Sequence, residues 1–424
     1  MSTDFPAVAG SDCDVLIVGG GLVGSALAAA LADTEVRTVL VEARDPAVLE
    51  QPSFDSRVTA LARGSQRILS GLGVWDALAP DAEPILSIHV SERGRFGAAR
   101  IRADEEGVPA LGFTLENRSL GRALWERIAA AERCTVVAPA SMTRFTSDED
   151  GVTAEIRMSP NGARAIGPSP ASLTVRAKLL VAADGAESPV REALGIAMRE
   201  DQYRQQAVIV NCATDLPHRG AAFERFTTRG PLAMLPLTRD RVGVVWTLPT
   251  DEAGAVAALP DDKFRVALED VFGRRLGRVV RVGRRALHPL RRVRSGSLGT
   301  ERVVLIGNAA VSLHPVAGQG FNLALRDVAA LAEIVAESAR DGWPDPAAVA
   351  SRYRTWRVGD QRRVAWFTHG LVGLFGRPGA AWGTGRGLGL VAFDLLPGAK
   401  AALARHTMGV TGRLPRLARG LPLR

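Results

Sequence analysis

Residues 14–42 read DVLIVGGGLVGSALAAALADTEVRTVLVE, the pattern of a β-strand, a helix and a second β-strand. Residues 14–18 are a short apolar run, which is typical of a parallel strand buried on both faces. Residues 22–32 are rich in good helix formers, and residues 38–42 form a second apolar strand. The stretch therefore predicts the βαβ unit of a nucleotide-binding domain.

The turn between that strand and that helix carries a Gly-x-Gly-x-x-Gly motif. Gly19 permits the tight turn, Gly21 lets the backbone approach a pyrophosphate, and Gly24 lets the helix pack closely on the strand. Leu22 and Val23 open the helix, where unpaired N–H groups and the positive end of the helix dipole favour an anion. The alternative, a glycine-rich turn that serves only packing, fits less well because strand, helix and a terminal acid occur together.

That acid is Glu42, which ends the second strand. A carboxylate at this position accepts hydrogen bonds from both ribose hydroxyls of an adenosine. It would also repel a 2′-phosphate, so NADP is disfavoured at this site.

Two further strand ends, distant in sequence, are marked by glycine. Residues 180–191, LVAADGAESPVR, end a buried strand at Asp184-Gly185 and then open a helix. An ordinary Asp-Gly turn is the alternative interpretation. Residues 305–322 run from a strand through Gly307-Asn308 and a second glycine cluster to a helix predicted from about residue 323. Three such turns suggest one long ligand that is contacted at several points, whereas NAD alone would need only the first.

Segments of a different character interrupt this domain. Residues 85–102 and 203–248 contain short alternating runs separated by turn residues, which predict antiparallel sheet. The predicted organisation is a nucleotide-binding domain in three parts, 12–80, 105–198 and 296–342, a sheet-rich second domain in two parts, 81–104 and 199–295, and a helical C-terminal region with a basic tail, 343–424.

Composition excludes several classes of function. The chain has 424 residues and a formal net charge of +8, and its only lysines are Lys178, Lys263 and Lys400. The arginines are scattered with few aromatic residues among them, so we expect no nucleic-acid binding. The three cysteines, at 13, 134 and 212, show no metal-ligand spacing. They favour a reduced compartment and no metal site, and we expect a cytoplasmic protein.

The last thirty residues differ from the rest. Residues 395–424 contain no acid, and the apolar segments 364–376 and 387–393 before them are shorter than the roughly 20 residues of a spanning helix. One interpretation is peripheral contact with the inner face of an anionic membrane, or with a membrane-bound partner. The other is a helical cap with a solvated basic tail, and both stay open.

Together these motifs resemble the FAD-dependent aromatic hydroxylases of the p-hydroxybenzoate hydroxylase fold, within them the ubiquinone-biosynthesis branch. The resemblance covers about residues 12–410 and includes 55–65 (DSRVTALARGS), 116–124 (ENRSLGRAL) and 307–327 (GNAAVSLHPVAGQGFNLALRD). Residues 222–237, AFERFTTRGPLAMLPL, resemble the polyprenyl-methoxyphenol hydroxylases in particular. The implied fold class is α/β (α+β), with a Rossmann-like FAD-binding domain, an interleaved antiparallel-sheet substrate domain and a helical C-terminal region.

The resemblance implies a set of cofactor contacts. For the ADP half of FAD these are Gly19, Gly21, Leu22, Val23, Gly24 and Glu42. Further contacts to the cofactor fall on Arg57, Arg118, Asp184, Gly185 and Asn308. The loop beside the flavin ring contributes Pro315, Gly318, Gln319, Gly320, Phe321 and Asn322. Asn308 stands where the wider superfamily has Asp, which weakens but keeps the contact to the ribityl chain.

The implied reaction is hydroxylation of a polyprenylated phenol, with NAD(P)H reducing FAD and O2 as co-substrate. The candidate catalytic residues are His314 and Pro315, in the loop beside the flavin ring, and Tyr203, which opens the sheet-rich segment, although packing or capping also accounts for Tyr203 and His314. Expected partners are the prenylated phenol, a membrane surface or other ubiquinone-biosynthesis proteins, and a second copy in a homo-oligomer. Two alternatives stay open: a hydroxylase of another phenol, and a flavin-binding scaffold without turnover.

Overall fold

The computed structural model describes residues 11–45, 57–159, 172–312, 318–376 and 379–423. His314 and Pro315 lie outside the described residues. The strands in chain order are β1 (Ser11–Val18), β2 (Thr38–Val41), β3 (Val58–Ala62), β4 (Glu83–Ile85), β5 (Ser87–Glu92), β6 (Ala98–Arg102), β7 (Gly112–Glu116), β8 (Cys134–Val137), β9 (Ala140–Ser147), β10 (Val152–Met158), β11 (Ser172–Ala182), β12 (Met198–Thr214), β13 (Ala221–Phe226), β14 (Leu232–Leu237), β15 (Arg241–Pro249), β16 (Val279–Val282), β17 (Ala286–Ser295), β18 (Val303–Leu305) and β19 (Val311–Ser312).

The helices surround these strands. In chain order they are α1 (Leu22–Leu31), α2 (Arg63–Gly71), α3 (Trp75–Leu78), α4 (Asn117–Ala129), α5 (Pro189–Ala193), α6 (Thr250–Ala257), α7 (Asp261–Phe272), α8 (Gln319–Arg340), α9 (Pro346–Gly376), α10 (Ala380–Asp394) and α11 (Pro397–Thr407).

The first sheet brings the three glycine-marked turns together. Its order is β8-β2-β1-β11-β10-β9, with β18 beside β11. In the parallel register Val18 pairs with Ala182, and Ala182 pairs with Leu305. The carboxyl ends of β1, β11 and β18 therefore lie side by side, and ligands of open α/β sheets bind outside this edge. The predicted convergence of the three turns is confirmed.

The second sheet has the order β19-β17-β12-β15-β14-β13-β5-β6. Of the two segments predicted to form antiparallel sheet, 85–102 and 203–248, residues 87–102 and 203–248 belong to it, but they join through a parallel pairing of β5 with β13. A third sheet has three strands, in the order β3-β7-β4. In the sequence these strands come where the chain passes between the two larger sheets. One face of the second sheet is covered by α6 and α7, where Phe264, Leu268 and Phe272 are buried against Val244 and Trp246. That leaves the opposite face of the sheet free to form a cavity.

The C-terminal helices pack on both large sheets, because α9 contacts α8 and β11 of the first domain and α10 contacts β6 of the second sheet. Helix α9 contacts α8, and Tyr353 in α9 is buried. Within the described residues, no single helix is long and apolar enough to cross a membrane. Trp382–Asp394 and Pro397–Thr407 together have that length and composition, but they meet at an angle of 92°.

One predicted boundary is wrong. Helix α8 begins at Gln319, not near residue 323, so residues 319–322 form its first turn instead of a loop. Gly318 precedes it with φ of 59°, a left-handed conformation that glycine adopts without steric cost. Glycine and asparagine in this turn resemble loop residues in sequence, although here they begin a helix.

Candidate functional site

The first glycine turn has no room for a side chain at Gly19, Gly20 or Gly24. Gly19 has φ of 101°, and a Cβ built there would lie 2.6 Å from the carbonyl oxygen of Ala183 on the neighbouring strand end. A Cβ on Gly24 would overlap the carbonyl oxygen of Gly19. The tight turn and the close packing of α1 therefore both depend on glycine. Together they present the start of α1 to the edge of the sheet, where its N–H groups can bind a pyrophosphate.

Glu42 lies beside this turn, as the sequence predicts. Its Oε2 accepts a hydrogen bond of 2.6 Å from the backbone N–H of Gly20, and its Oε1 accepts one of 2.9 Å from that of Arg44. Backbone contacts therefore hold the carboxylate at the end of β2. From there it is placed to accept from the ribose hydroxyls of an adenosine.

The second turn holds an unsatisfied carboxylate. Asp184 Oδ2 accepts a hydrogen bond from the backbone N–H of Val190 at 3.2 Å, whereas Oδ1 is buried without a partner among the described residues. Burial raises the pKa of this carboxyl group. A buried acceptor without a donor costs free energy, so Oδ1 fits a hydroxyl or N–H group of a bound ligand.

At the third turn, Asn322 serves the protein. Its Oδ1 accepts from Ala62 N and Ser65 Oγ, both at 2.7 Å, and its Nδ2 donates to the carbonyl oxygens of Ala60 at 2.8 Å and Gly318 at 2.7 Å. The amide thus makes all four hydrogen bonds within the protein. It fixes the start of α8 against β3 and α2.

A cavity of about 1090 Å³ begins at these turns. It is lined by Gly21, Leu22, Val23, Arg57, Gly185, Asn308, Gly318, Gln319, Gly320, Phe321 and Asn322 from the predicted cofactor contacts. The other described residues of that set, Gly19, Gly24, Glu42, Arg118 and Asp184, are not in its wall. Arg118 is 63% exposed and forms an ion pair with Glu116 at 2.5 Å. Its charge is therefore compensated within the protein.

Tyr203 lies away from this cavity. Its hydroxyl is 3.4 Å from Nδ1 of His369 in α9, and it is not in the cavity wall. Burial raises the pKa of the Tyr203 phenol. The structure therefore does not bring Tyr203 to the site where a substrate ring would meet a flavin.

The cavity wall contains charged groups that sequence reasoning missed. Glu224 in β13 and Arg386 in α10 both line it. Arg386 is paired with the buried Glu92 through contacts of 2.6 and 2.9 Å. The sequence feature that could have identified Glu224 is the presence of an acid inside the alternating apolar strand AFERF, at residues 222–226.

FAD fits the residues present. The pyrophosphate turn lacks space for a Cβ atom at Gly19, Gly20 and Gly24, and Asp184 Oδ1 is a buried acceptor without a partner among the described residues. Beside the start of α8, a Cβ on Gly320 would meet nothing within 4 Å, so the cavity is open at the point where the helix dipole favours negative charge. When bound, FAD supplies the redox chemistry.

Comparison with known proteins agrees with this geometry. Residues 12–357 match the FAD binding domain family. The chain is 38% identical to the ubiquinone hydroxylase UbiL of Rhodospirillum rubrum, covering 97% of this chain and 93% of that protein. It is 31% identical to the 3-demethoxyubiquinol 3-hydroxylase of Escherichia coli, covering 82% and 86%.

Solved structures show the same fold. The p-nitrophenol 4-monooxygenase PnpA of Pseudomonas putida superimposes with a TM-score of 0.76 at 18% identity, covering 95% of this chain and all of that one. PqsL of Pseudomonas aeruginosa, crystallised with 2-aminobenzoylacetate, gives 0.71 at 19% identity, covering 90% of this chain and all of that one. The family match, the curated relatives and the convergent turns agree, and the chain belongs to the FAD-dependent aromatic hydroxylases, a flavoprotein monooxygenase family that includes the ubiquinone hydroxylases.

Proposed function

We propose that this protein hydroxylates the ring of a polyprenylated phenol, a 2-polyprenyl-6-methoxyphenol, in ubiquinone biosynthesis, with NAD(P)H as reductant and O2 as co-substrate. The observation that carries the proposal is the shape of the cavity. It runs from the three glycine-marked turns, past the second sheet, to apolar side chains of the C-terminal helices. These are Phe367, Leu371 and Phe375 in α9 and Leu390 and Phe393 in α10.

An apolar extension of this kind matches a long hydrocarbon chain. Burial contributes about 0.8 kcal/mol for each CH2 group, so a prenyl tail would supply much of the binding free energy. A small soluble phenol would leave these walls without contacts. The names of the curated relatives, ubiquinone hydroxylase and 3-demethoxyubiquinol 3-hydroxylase, support the same class of substrate.

The test is a reaction under labelled oxygen. The FAD-loaded protein is supplied with 18O2, NADH or NADPH, and 2-methoxyphenols with and without a prenyl chain, and products are identified by mass spectrometry. We expect a product that gains one labelled oxygen atom, with a higher kcat/KM for the prenylated compound. Flavin reduction without any labelled product would overturn the proposal.

Leu371→Asn tests the path of the tail. Leu371 packs near the stacked pair Phe226–Phe375, whose ring centroids are 3.7 Å apart. An amide at this apolar wall costs about 1–3 kcal/mol unless it finds a partner, so KM for the prenylated phenol should rise about tenfold. The unprenylated phenol should be unaffected. Trp366→Ala is the control, since Trp366 lies in the same helix, is 77% exposed and is not in the cavity wall. Equal changes in both variants would contradict this path.

We also propose that the surface around the outer end of the cavity contacts the inner face of an anionic membrane, where such a substrate would reside. Large apolar side chains are exposed there: Trp382, Leu388, Leu395 and Leu396, at 52, 58, 74 and 57%. Trp382 also lines the cavity. Part of the basic tail is engaged within the protein, because Lys400 pairs with Glu105 at 3.1 Å and Arg413 stacks on Trp356. The apolar surface therefore supports membrane contact more strongly than the tail charge does.

Replacing both Leu395 and Leu396 with serine should weaken binding to vesicles containing anionic lipid about tenfold, because interfacial binding scales with the buried apolar area. Vesicle co-sedimentation measures this. Val266→Ser is the control, because Val266 is also apolar and 69% exposed but lies on α7, in a different part of the molecule from Leu395 and Leu396. If the wild-type protein does not sediment with vesicles but forms a homo-oligomer that the double variant breaks, a second copy covers the surface instead.

A further inference from the structure

Glu224 occupies the middle of an apolar row that crosses the second sheet. The strand registers place six residues side by side: Ile209, Val245, Ala233, Glu224, Val90 and Ala99. All six line the cavity. Glu224 is the one ionisable member of this row, in the cavity wall that also includes residues of the three glycine-marked turns and of helices α9 and α10.

Neighbours along β13 locate Glu224 between the two ends of the cavity. Ala222 packs in a cluster with Ala60. A Cβ built on Gly318, just before α8, would lie 3.1 Å from Ala60, so Ala222 is on the side of Glu224 toward the start of α8. Phe226 stacks on Phe375 of α9, so the other side lies toward the tail. Successive residues on one face of a strand are about 6.6 Å apart, close to the width of one aromatic ring.

Nothing within the described protein competes for the carboxylate. Glu224 has no hydrogen bond or ion pair there, and burial is the sole cause that raises its pKa, to about 7. Among charged groups on the surrounding elements, Glu92 of β5 is held by Arg386 of α10. Arg225 alternates to the opposite face of β13, Arg241 of β15 pairs with Glu116, and His288 of β17 lies in the cavity wall. Glu224 is half-buried and lines the cavity, where a substrate hydroxyl can reach it.

We propose that Glu224 accepts the proton of the substrate's phenolic hydroxyl. The phenol O–H bond breaks, the proton passes to a carboxylate oxygen of Glu224, and the electron pair stays on the phenolate oxygen, which makes the ring more nucleophilic. The raised pKa of Glu224 favours this proton transfer, because it brings the pKa of the carboxyl group closer to that of a phenol, about 10. A base whose pKa lies near the working pH is the most effective one. This inference rests on the proposed hydroxylation of a phenol.

The test is Glu224→Gln, which keeps the shape of the side chain and removes the base. The rate of hydroxylation in a single turnover should fall about a hundredfold, the lower end of general-base effects. In the wild-type protein the rate of hydroxylation should rise with pH through about 7, and in the variant this rise should be absent. Reduction of the flavin by NAD(P)H should be unchanged, and Glu224→Asp should recover part of the rate. Glu200→Gln is the control, since Glu200 lies in β12 of the same sheet and not in the cavity wall.

A binding measurement separates this inference from the proposed function. Flavin spectral changes give the Kd for a prenylated 2-methoxyphenol and for its O-methyl ether, which lacks the proton. Above pH 7 the wild-type protein should prefer the phenol about tenfold, through a charge-assisted hydrogen bond, and Glu224→Gln should lose that preference. A variant that hydroxylates within twofold of wild type with the same pH limb overturns the role of Glu224. Absence of product together with a Glu224-dependent preference overturns only the proposed function, and absence of both overturns both.

Discussion

Gly24→Val should yield a protein that purifies without flavin and binds added FAD at least about a thousandfold more weakly, a loss of about 4 kcal/mol. A Cβ on Gly24 would overlap the carbonyl oxygen of Gly19, and valine adds two methyl groups to it. Relief requires α1 to move away from the turn. Its N–H groups and dipole would then no longer meet the pyrophosphate. The flavin absorbance of the purified protein and a fluorescence titration with FAD measure the effect.

Gly254→Val is the matched control, because a Cβ on this helical glycine of α6 would meet nothing within 4 Å. It should retain the flavin content of wild type. Far-UV circular dichroism of Gly24→Val distinguishes loss of the cofactor from loss of the fold. Wild-type affinity for FAD in Gly24→Val would mean that the cofactor does not depend on this turn.

Arg357→Met should lower the free energy of unfolding by about 3–5 kcal/mol, the usual result of removing one partner from a buried ion pair. Arg357 lies in α9 with a side chain only 2% exposed, and its Nε donates to Asp327 Oδ1 of α8 at 2.6 Å. Its second contact is with Asp360 Oδ2, at 2.7 Å. Without the guanidinium, Asp327 would keep Gln361, at 2.9 Å, as its one side-chain hydrogen-bond partner among the described residues. Urea denaturation of the FAD-free protein, followed by tryptophan fluorescence, measures the loss.

Arg363→Met is the control for this prediction. Arg363 contacts the same Asp360 at 3.9 Å, but its side chain is 64% exposed. Exposed ion pairs contribute about 0–1 kcal/mol, so this variant should unfold nearly as wild type does. Equal losses in the two variants would show that burial of Arg357 is not what makes its ion pair important.

Sequence patterns predicted the parts of the site that depend on local chain geometry. The turn at Gly19–Gly24 needs glycine for reasons that lie within one βαβ unit, so its spacing alone identifies it. Glu42 follows from the same unit. The convergence with Asp184 and Asn308 was also predictable, because parallel strands bring their carboxyl ends to one edge of the sheet.

One prediction failed where contacts between distant residues decide the structure. The start of α8 was placed four residues late because its first turn resembles a loop, and only the contacts of Asn322 with β3 and α2 show why it is helical there. Arg118 matches a family position and pairs with Glu116, and its contact with the cofactor stays a prediction.

By itself, the sequence determined the nucleotide-binding unit, the family and the chemistry of the cofactor, because these reside in short motifs whose geometry is local. The tertiary structure alone decided which strand face lines a cavity. Alternation along residues 222–226 is the same whether a side chain enters a core or an open pocket. Only the packing of α6 and α7 on one face of the second sheet, and of α9 and α10 across the other, leaves Glu224 facing cavity space.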